Sequence, residues 1–116
     1  LIYGDSNSWG YLDDGSGQRF GGRWPLQMAS QLDAEIIEEC LPGRVTHGAD
    51  PAEGPQFDGT APFLAILMSQ QPLDRVIIML GTNDMKARFD RSAEDISAGV
   101  MQLVDIVGAS GAGHGG

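Results

Sequence analysis

RVIIMLGTND, residues 75–84, is the stretch that decides the fold class of this chain. Arg75 to Gly81 is a continuous β-branched and apolar run ending on glycine, which predicts a central parallel strand covered on both faces. The polar cluster TNDMK follows at once. The same pattern opens the chain in LIYGDSNSWG, residues 1–10, where the short apolar run Leu1 to Tyr3 breaks into Gly, Asp, Ser, Asn and Ser. Between the two lies AEIIEEC, Ala34 to Cys40, which reads as a third strand. Its acids place it at an edge or in a partly exposed position, and it runs directly into LPGR.

Helical patterns separate these strands. Trp24, Met28 and Leu32 recur every four residues behind Pro25, a favourable first-turn residue, and predict an amphipathic helix of about ten residues. FLAILMS, Phe63 to Ser69, fits a second, short helix. Ser92 followed by Asp95 marks a third helix start, and Ile96, Val100, Leu103, Val104 and Val107 mark its apolar face. That helix should fail near Gly108, leaving GASGAGHGG as a flexible tail or the start of a loop. Ser6 to Gly22 is rich in Gly, Asp and Ser, which favours a loop holding one helical turn. LPGRVTHGADPAEGPQFDGT, residues 41–60, carries three prolines and reads as a long irregular stretch, functional or mobile. Strand and helix alternate three times, so the expectation is one α/β domain over residues 1–116 with a mainly parallel sheet.

Composition narrows the classes of function. A hydrophobic content of 41% and a charged content of 20% suit a globular domain rather than a disordered chain. The formal charge of −9, without a Lys/Arg cluster, argues against a nucleic-acid partner. Cys40 is the single cysteine and cannot form an internal disulfide, which favours a cytoplasmic location. No CxxC pair or His/Cys group has metal-ligand spacing, so neither a metal nor another cofactor is expected. No apolar run approaches the roughly 20 residues of a membrane span, so no membrane partner is expected. The chain begins at Leu1 rather than Met, and the expectation is that residues upstream have been removed.

In an open parallel sheet, ligand sites gather at the carboxyl ends of the strands. GDSNS, LPGR and GTND all fall there, and one shared crevice explains why each is polar and glycine-containing. Ser6 is a candidate nucleophile, provided a neighbouring base takes its proton. Gly43 offers a backbone N–H that no side chain obstructs, and Asn83 offers an amide, both suited to a developing oxyanion. Each has a plainer reading. Ser6 can be a turn or cap residue, Gly43 half of a Pro-Gly turn, and Asn83 and Asp84 caps of the next segment. GDSNS also lacks the second glycine of GxSxG, so it is not the nucleophile elbow of the α/β-hydrolases. It can be an anion-binding turn, although no P-loop Lys or GxGxxG accompanies it.

Together, GDSNSWG, IIEECLPGRVT and VIIMLGTNDMK resemble the SGNH (GDSL-type) hydrolases, closest to the bacterial arylesterase and acyltransferase branch. The resemblance spans essentially the whole chain in the right order. It implies a three-layer α/β/α, flavodoxin-like fold, mainly parallel and here incomplete. It implies Ser6 as nucleophile, with the Ser6 N–H, the Gly43 N–H and the Asn83 amide as oxyanion donors. The implied reaction is acyl transfer from a small carboxylic ester through an acyl-enzyme. Asp5 and Asp84 lie inside the motifs and read as holding the turns. Asp5, Trp9 and Arg44, with Thr46, are the candidates on the substrate side. Relatives of this branch are often oligomeric, so a homo-oligomer is expected, with contacts in the long middle loop.

One part of the pattern is missing. The family completes its triad with a late Asp-x-x-His block, and this sequence has none. His47 lies too early for that block, and Gly111 stands where an Asp would precede His114. The expectation is that the chain stops before the family's remaining strands and its catalytic His, which a complementing C-terminal part supplies. These 116 residues alone are then inactive or nearly so. The alternative is a non-catalytic binding or assembly module of the same fold.

Overall fold

The structure, a computed structural model, describes residues 1–115. Three parallel strands, β1 (Ile2–Gly4), β2 (Glu38–Cys40) and β3 (Ile77–Met79), form one sheet in the order β2-β1-β3. That order is the beginning of the flavodoxin-like arrangement. Tyr3 is in register with Glu39 on one side and Ile78 on the other, and Gly4 with Cys40 and Met79.

Alternation along the strands separates two faces. Tyr3 and Ile78 point to the face covered by α3 (Phe63–Gln70) and α4 (Ala93–Ala109). There Tyr3 stacks on Phe63 at 4.1 Å between ring centroids, and Leu67, Leu73, Leu103 and Ala112 complete the core. The Tyr3 hydroxyl donates to the Gly59 carbonyl at 2.6 Å, which satisfies the polar end of this buried ring. On the opposite face lie α1 (Ser6–Trp9) and α2 (Trp24–Ala29). Trp24 Nε1 on α2 donates to Ser8 Oγ on α1 at 3.1 Å, and Ser8 Oγ in turn approaches Met79 Sδ on β3 at 3.6 Å. The α/β/α layering expected from the sequence is present.

Several local readings change. The Arg75–Gly81 run, expected as a central strand, is ordered over Ile77–Met79 and lies at the edge of the three strands found among the described residues, with β1 in the middle. Ile77 and Met79 at this edge are 36% and 45% exposed. The helix expected around Trp24 lasts six residues, not about ten. Ser30 Oγ donates to the Gln27 carbonyl at 2.7 Å, and the last turn tightens as Gln31 N–H bonds the Met28 carbonyl. Leu32 lies beyond it, 51% exposed.

In α4 the capping box forms as expected, with Ser92 and Asp95 each bonding the other's backbone N–H. Its buried stripe runs through Gly99 and Leu103, whereas Val104 is 44% exposed. The tail also docks instead of floating free. Ala112 is buried and its carbonyl accepts from Leu73 N–H at 2.7 Å; Gly116 lies outside the described residues. No helix among the described residues is long and apolar enough to cross a membrane.

Candidate active site

Where strand order reverses in an open parallel sheet, a crevice opens outside the carboxyl ends of the strands. Here the reversal is at β1, and the segments leaving β1, β2 and β3 meet there. Four hydrogen bonds tie them together. Leu41 N–H donates to the Gly4 carbonyl at 3.0 Å, and Arg44 Nη1 reaches the same oxygen at 3.3 Å. Asn83 Nδ2 donates to the Arg44 carbonyl at 3.1 Å, and Asn7 Nδ2 to Thr82 Oγ1 at 3.5 Å.

Ser6 opens α1, a single helical turn defined at both ends. Asp5 Oδ1 accepts from Asn7 N–H at 2.9 Å, and Gly10, with φ 88°, closes the turn by donating to the Ser6 carbonyl at 3.0 Å. Asp5 is buried, and that burial pushes its carboxyl above the usual aspartate range against the pull of the Asn7 amide. It acts as a cap and does not face the cleft. Ser6 itself is half-buried, and its hydroxyl makes no hydrogen bond among the described residues. Its N–H, at the first helical position, has no intrahelical acceptor.

Gly43 sits in a tight turn closed by Arg44 N–H onto the Leu41 carbonyl at 3.1 Å. Its φ of 90° and a Phe57 ring atom 2.9 Å from where a Cβ would stand both require glycine. The Gly43 N–H has no acceptor among the described residues. Asn83, 8% exposed, spends one amide hydrogen on the Arg44 carbonyl and keeps the other. The three expected donors thus belong to segments bonded to one another.

Asp84 has a different task. It is fully buried and accepts from Thr46 N–H at 3.0 Å, from Thr46 Oγ1 at 2.5 Å and from Arg91 Nη1 at 2.8 Å. It locks the middle loop onto the segment after β3. Thr46 and Arg44, expected on the substrate side, are both turned inward. Arg44 is 6% exposed, with its guanidinium 4.0 Å from the Tyr3 ring centroid and Nη1 2.6 Å from the Glu39 carbonyl. Trp9 is half-buried beneath Arg19, whose Nε donates to the Trp9 carbonyl at 2.6 Å.

The open space beside Ser6 is a cleft of about 600 Å³ lined by Asn7, Tyr11, Leu12, Phe20, Arg23 and Trp24. Sequence reasoning passes over Tyr11 and Phe20. Both are 50% exposed aromatics inside a Gly/Asp-rich loop, and that pairing is the signal that could have found them. The loop wall is fixed by Glu38, which takes Arg23 Nε at 2.7 Å, Arg23 Nη2 at 3.0 Å and Arg19 Nη2 at 3.3 Å.

Neither histidine serves Ser6. His114 Nε2 lies 2.8 Å from Asp74 Oδ1, before β3 and so at the opposite end of the sheet. The His47 ring is engaged with Thr46 Oγ1 at 2.9 Å. No cluster of three or more His, Cys, Asp or Glu able to hold a metal occurs among the described residues.

Comparisons with known proteins bear on the family and the fold. Residues 2–114 match the GDSL-like lipase/acylhydrolase family. The M. smegmatis aryl esterase superposes with a TM-score of 0.89 at 43% identity, over 98% of this chain and 56% of that one. A carbohydrate acetylesterase from Sinorhizobium meliloti superposes with a TM-score of 0.90 at 37% identity, over 99% of this chain and 56% of that one. The chain therefore spans little more than half the length of the structures it resembles. Among curated proteins, none matches.

Proposed function

The chain belongs to the GDSL-like lipase/acylhydrolase family, and from that premise we propose that it carries the nucleophile and oxyanion-binding part of a serine esterase acting on small carboxylic esters. The observation that carries this reading is the hydrogen-bonded convergence of GDSNS, LPGR and GTND, with the Asn83 amide anchored on the Arg44 carbonyl beside Gly43.

The chemistry follows from the parts. Ser6 Oγ attacks the ester carbonyl carbon, forming an O–C bond as the carbonyl π electrons move to oxygen. The N–H groups of Ser6 and Gly43 and the free Asn83 amide hydrogen receive that negative charge. Collapse of the tetrahedral adduct expels the alcohol and leaves Ser6 acylated; water or a second alcohol then takes the acyl group. The base that accepts the Ser6 proton and returns it to the leaving alcohol comes from the part of the relatives' length that this chain does not span. The aromatic-sided cleft suits a short acyl ester of an aryl or sugar alcohol, in keeping with the neighbours' names.

A fluorophosphonate probe tests the proposal on the longer protein containing this sequence. It should label Ser6, and Ser6→Ala should abolish labelling; labelling that survives the substitution refutes the assignment. Alone, the 116-residue chain should barely turn over p-nitrophenyl acetate. A second reading, a binding module without catalysis, is favoured by the unpartnered Ser6 hydroxyl. It predicts no covalent labelling of the longer protein.

A further inference from the structure

Arg44 touches every element of the oxyanion-binding group. Its Nη1 donates to the Glu39 carbonyl on β2 at 2.6 Å and to the Gly4 carbonyl at 3.3 Å, two residues before Ser6. Its own N–H closes the turn that presents Gly43, and its own carbonyl holds Asn83 Nδ2 at 3.1 Å. The guanidinium lies over the buried Tyr3 ring, so it is packed from below and cannot swing away. Its Nε is buried without a hydrogen-bond partner among the described residues, a cost that an apolar side chain of similar shape would not carry. A buried cation kept at that cost points to the two carbonyl bonds as the reason for its presence.

We propose that Arg44 is the positioning residue of the oxyanion-binding group. Its guanidinium bridges the ends of β1 and β2 from behind while its backbone sets Gly43 and Asn83. It does not touch substrate. The inference rests on the serine-esterase reading above and names what aligns the three donors.

Arg44→Met and Arg44→Lys in the longer protein test it, with folded fraction measured by urea titration. Folded Arg44→Met should lose about 100-fold in kcat, the size of effect expected when donors shift by about 1 Å. KM should stay within about twofold, since only transition-state contacts are weakened. Arg44→Lys keeps the charge and one of the two bonds, and should recover part of kcat. Wild-type kcat in folded Arg44→Met, or a loss carried by KM alone, overturns the proposal. If Arg44→Met does not fold, Arg44→Lys decides: reduced kcat at unchanged KM supports it and wild-type kcat overturns it. Fluorophosphonate labelling separates the two levels. Absence of Ser6 labelling in the wild type overturns the esterase reading and this inference with it. Wild-type labelling that proceeds equally fast in Arg44→Met overturns this inference alone.

Discussion

Thr46 Oγ1 donates to Asp84 Oδ2 at 2.5 Å across 38 residues of sequence, and Arg91 approaches the same oxygen at 2.8 Å. The carboxylate is fully buried, and the Arg91 side chain is 12% exposed. Removing one partner of such a pair leaves a poorly solvated cation and two Thr46 donors unpaired. Asp84→Ala should therefore lose about 3–5 kcal/mol of unfolding free energy in urea. Asp84→Asn, which keeps an acceptor for Thr46, should lose less. Equal losses in the two variants would show that charge, not the Thr46 hydrogen bonds, governs the site.

Gly99 tests the same loop from the helix side. A Cβ there would fall on Thr46 Oγ1 and stand 2.6 Å from His47 Nδ1, so α4 could not keep its distance from the loop. Gly99→Ala should destabilise by about 1–3 kcal/mol through overpacking. Gly108, also in α4, faces open space: a Cβ added there would meet no described atom within 4 Å. Gly108→Ala should stabilise by about 0.5 kcal/mol. Thermal unfolding of both variants should move in opposite directions. A shift of the same sign in both would contradict this packing.

The contrast between Gly99 and Gly108 shows what sequence can reveal. Signals carried by neighbouring residues are legible: the Ser92–Asp95 capping box, Pro25 in the first turn of α2, and the left-handed glycine after Pro42 all appear. Features set by distant partners are not. Nothing within Arg75–Gly81 says which strand it pairs with, since that depends on where β1 and β2 lie. Val104 fits the apolar period of its helix, yet it misses the core because the contact stripe follows Gly99 and Leu103. Arg44 reads as a pocket residue from its place in the LPGR block of the family resemblance. The Tyr3 ring and the Gly4 and Glu39 carbonyls that bury it come from two other segments.

Asn83 is the one proposed donor that a side-chain substitution can remove. Asn83→Ala deletes its amide together with the bond to the Arg44 carbonyl, while the Gly43 and Ser6 N–H groups remain in the backbone. In the longer protein, kcat for p-nitrophenyl acetate should fall by about 100- to 1,000-fold with little change in KM. A loss confined to KM would place Asn83 in ground-state binding rather than at the oxyanion.

Acid stability should depend on Asp50. Arg88 holds its carboxylate through Nε at 2.8 Å and Nη2 at 2.6 Å, and this pairing lowers its pKa from 3.8 to about 2. A carboxyl held low in the folded state binds fewer protons there than in the unfolded chain. Its stabilisation is therefore complete above pH 3.8 and is lost as pH falls from there towards about 2. Asp5 works in the opposite sense: burial raises its pKa, so its contribution is present in acid and is lost as pH rises through the folded value. The two windows lie on opposite sides of the ordinary aspartate value and can be separated. Asp50→Asn should lower the urea midpoint at neutral pH and flatten its decline between pH 3.8 and about 2. Glu38 and Asp95 are also held low, by Arg23 and by the Ser92 N–H, so a residual slope remains. A decline as steep in Asp50→Asn as in the wild type would mean that the Arg88 pairing contributes nothing to acid sensitivity.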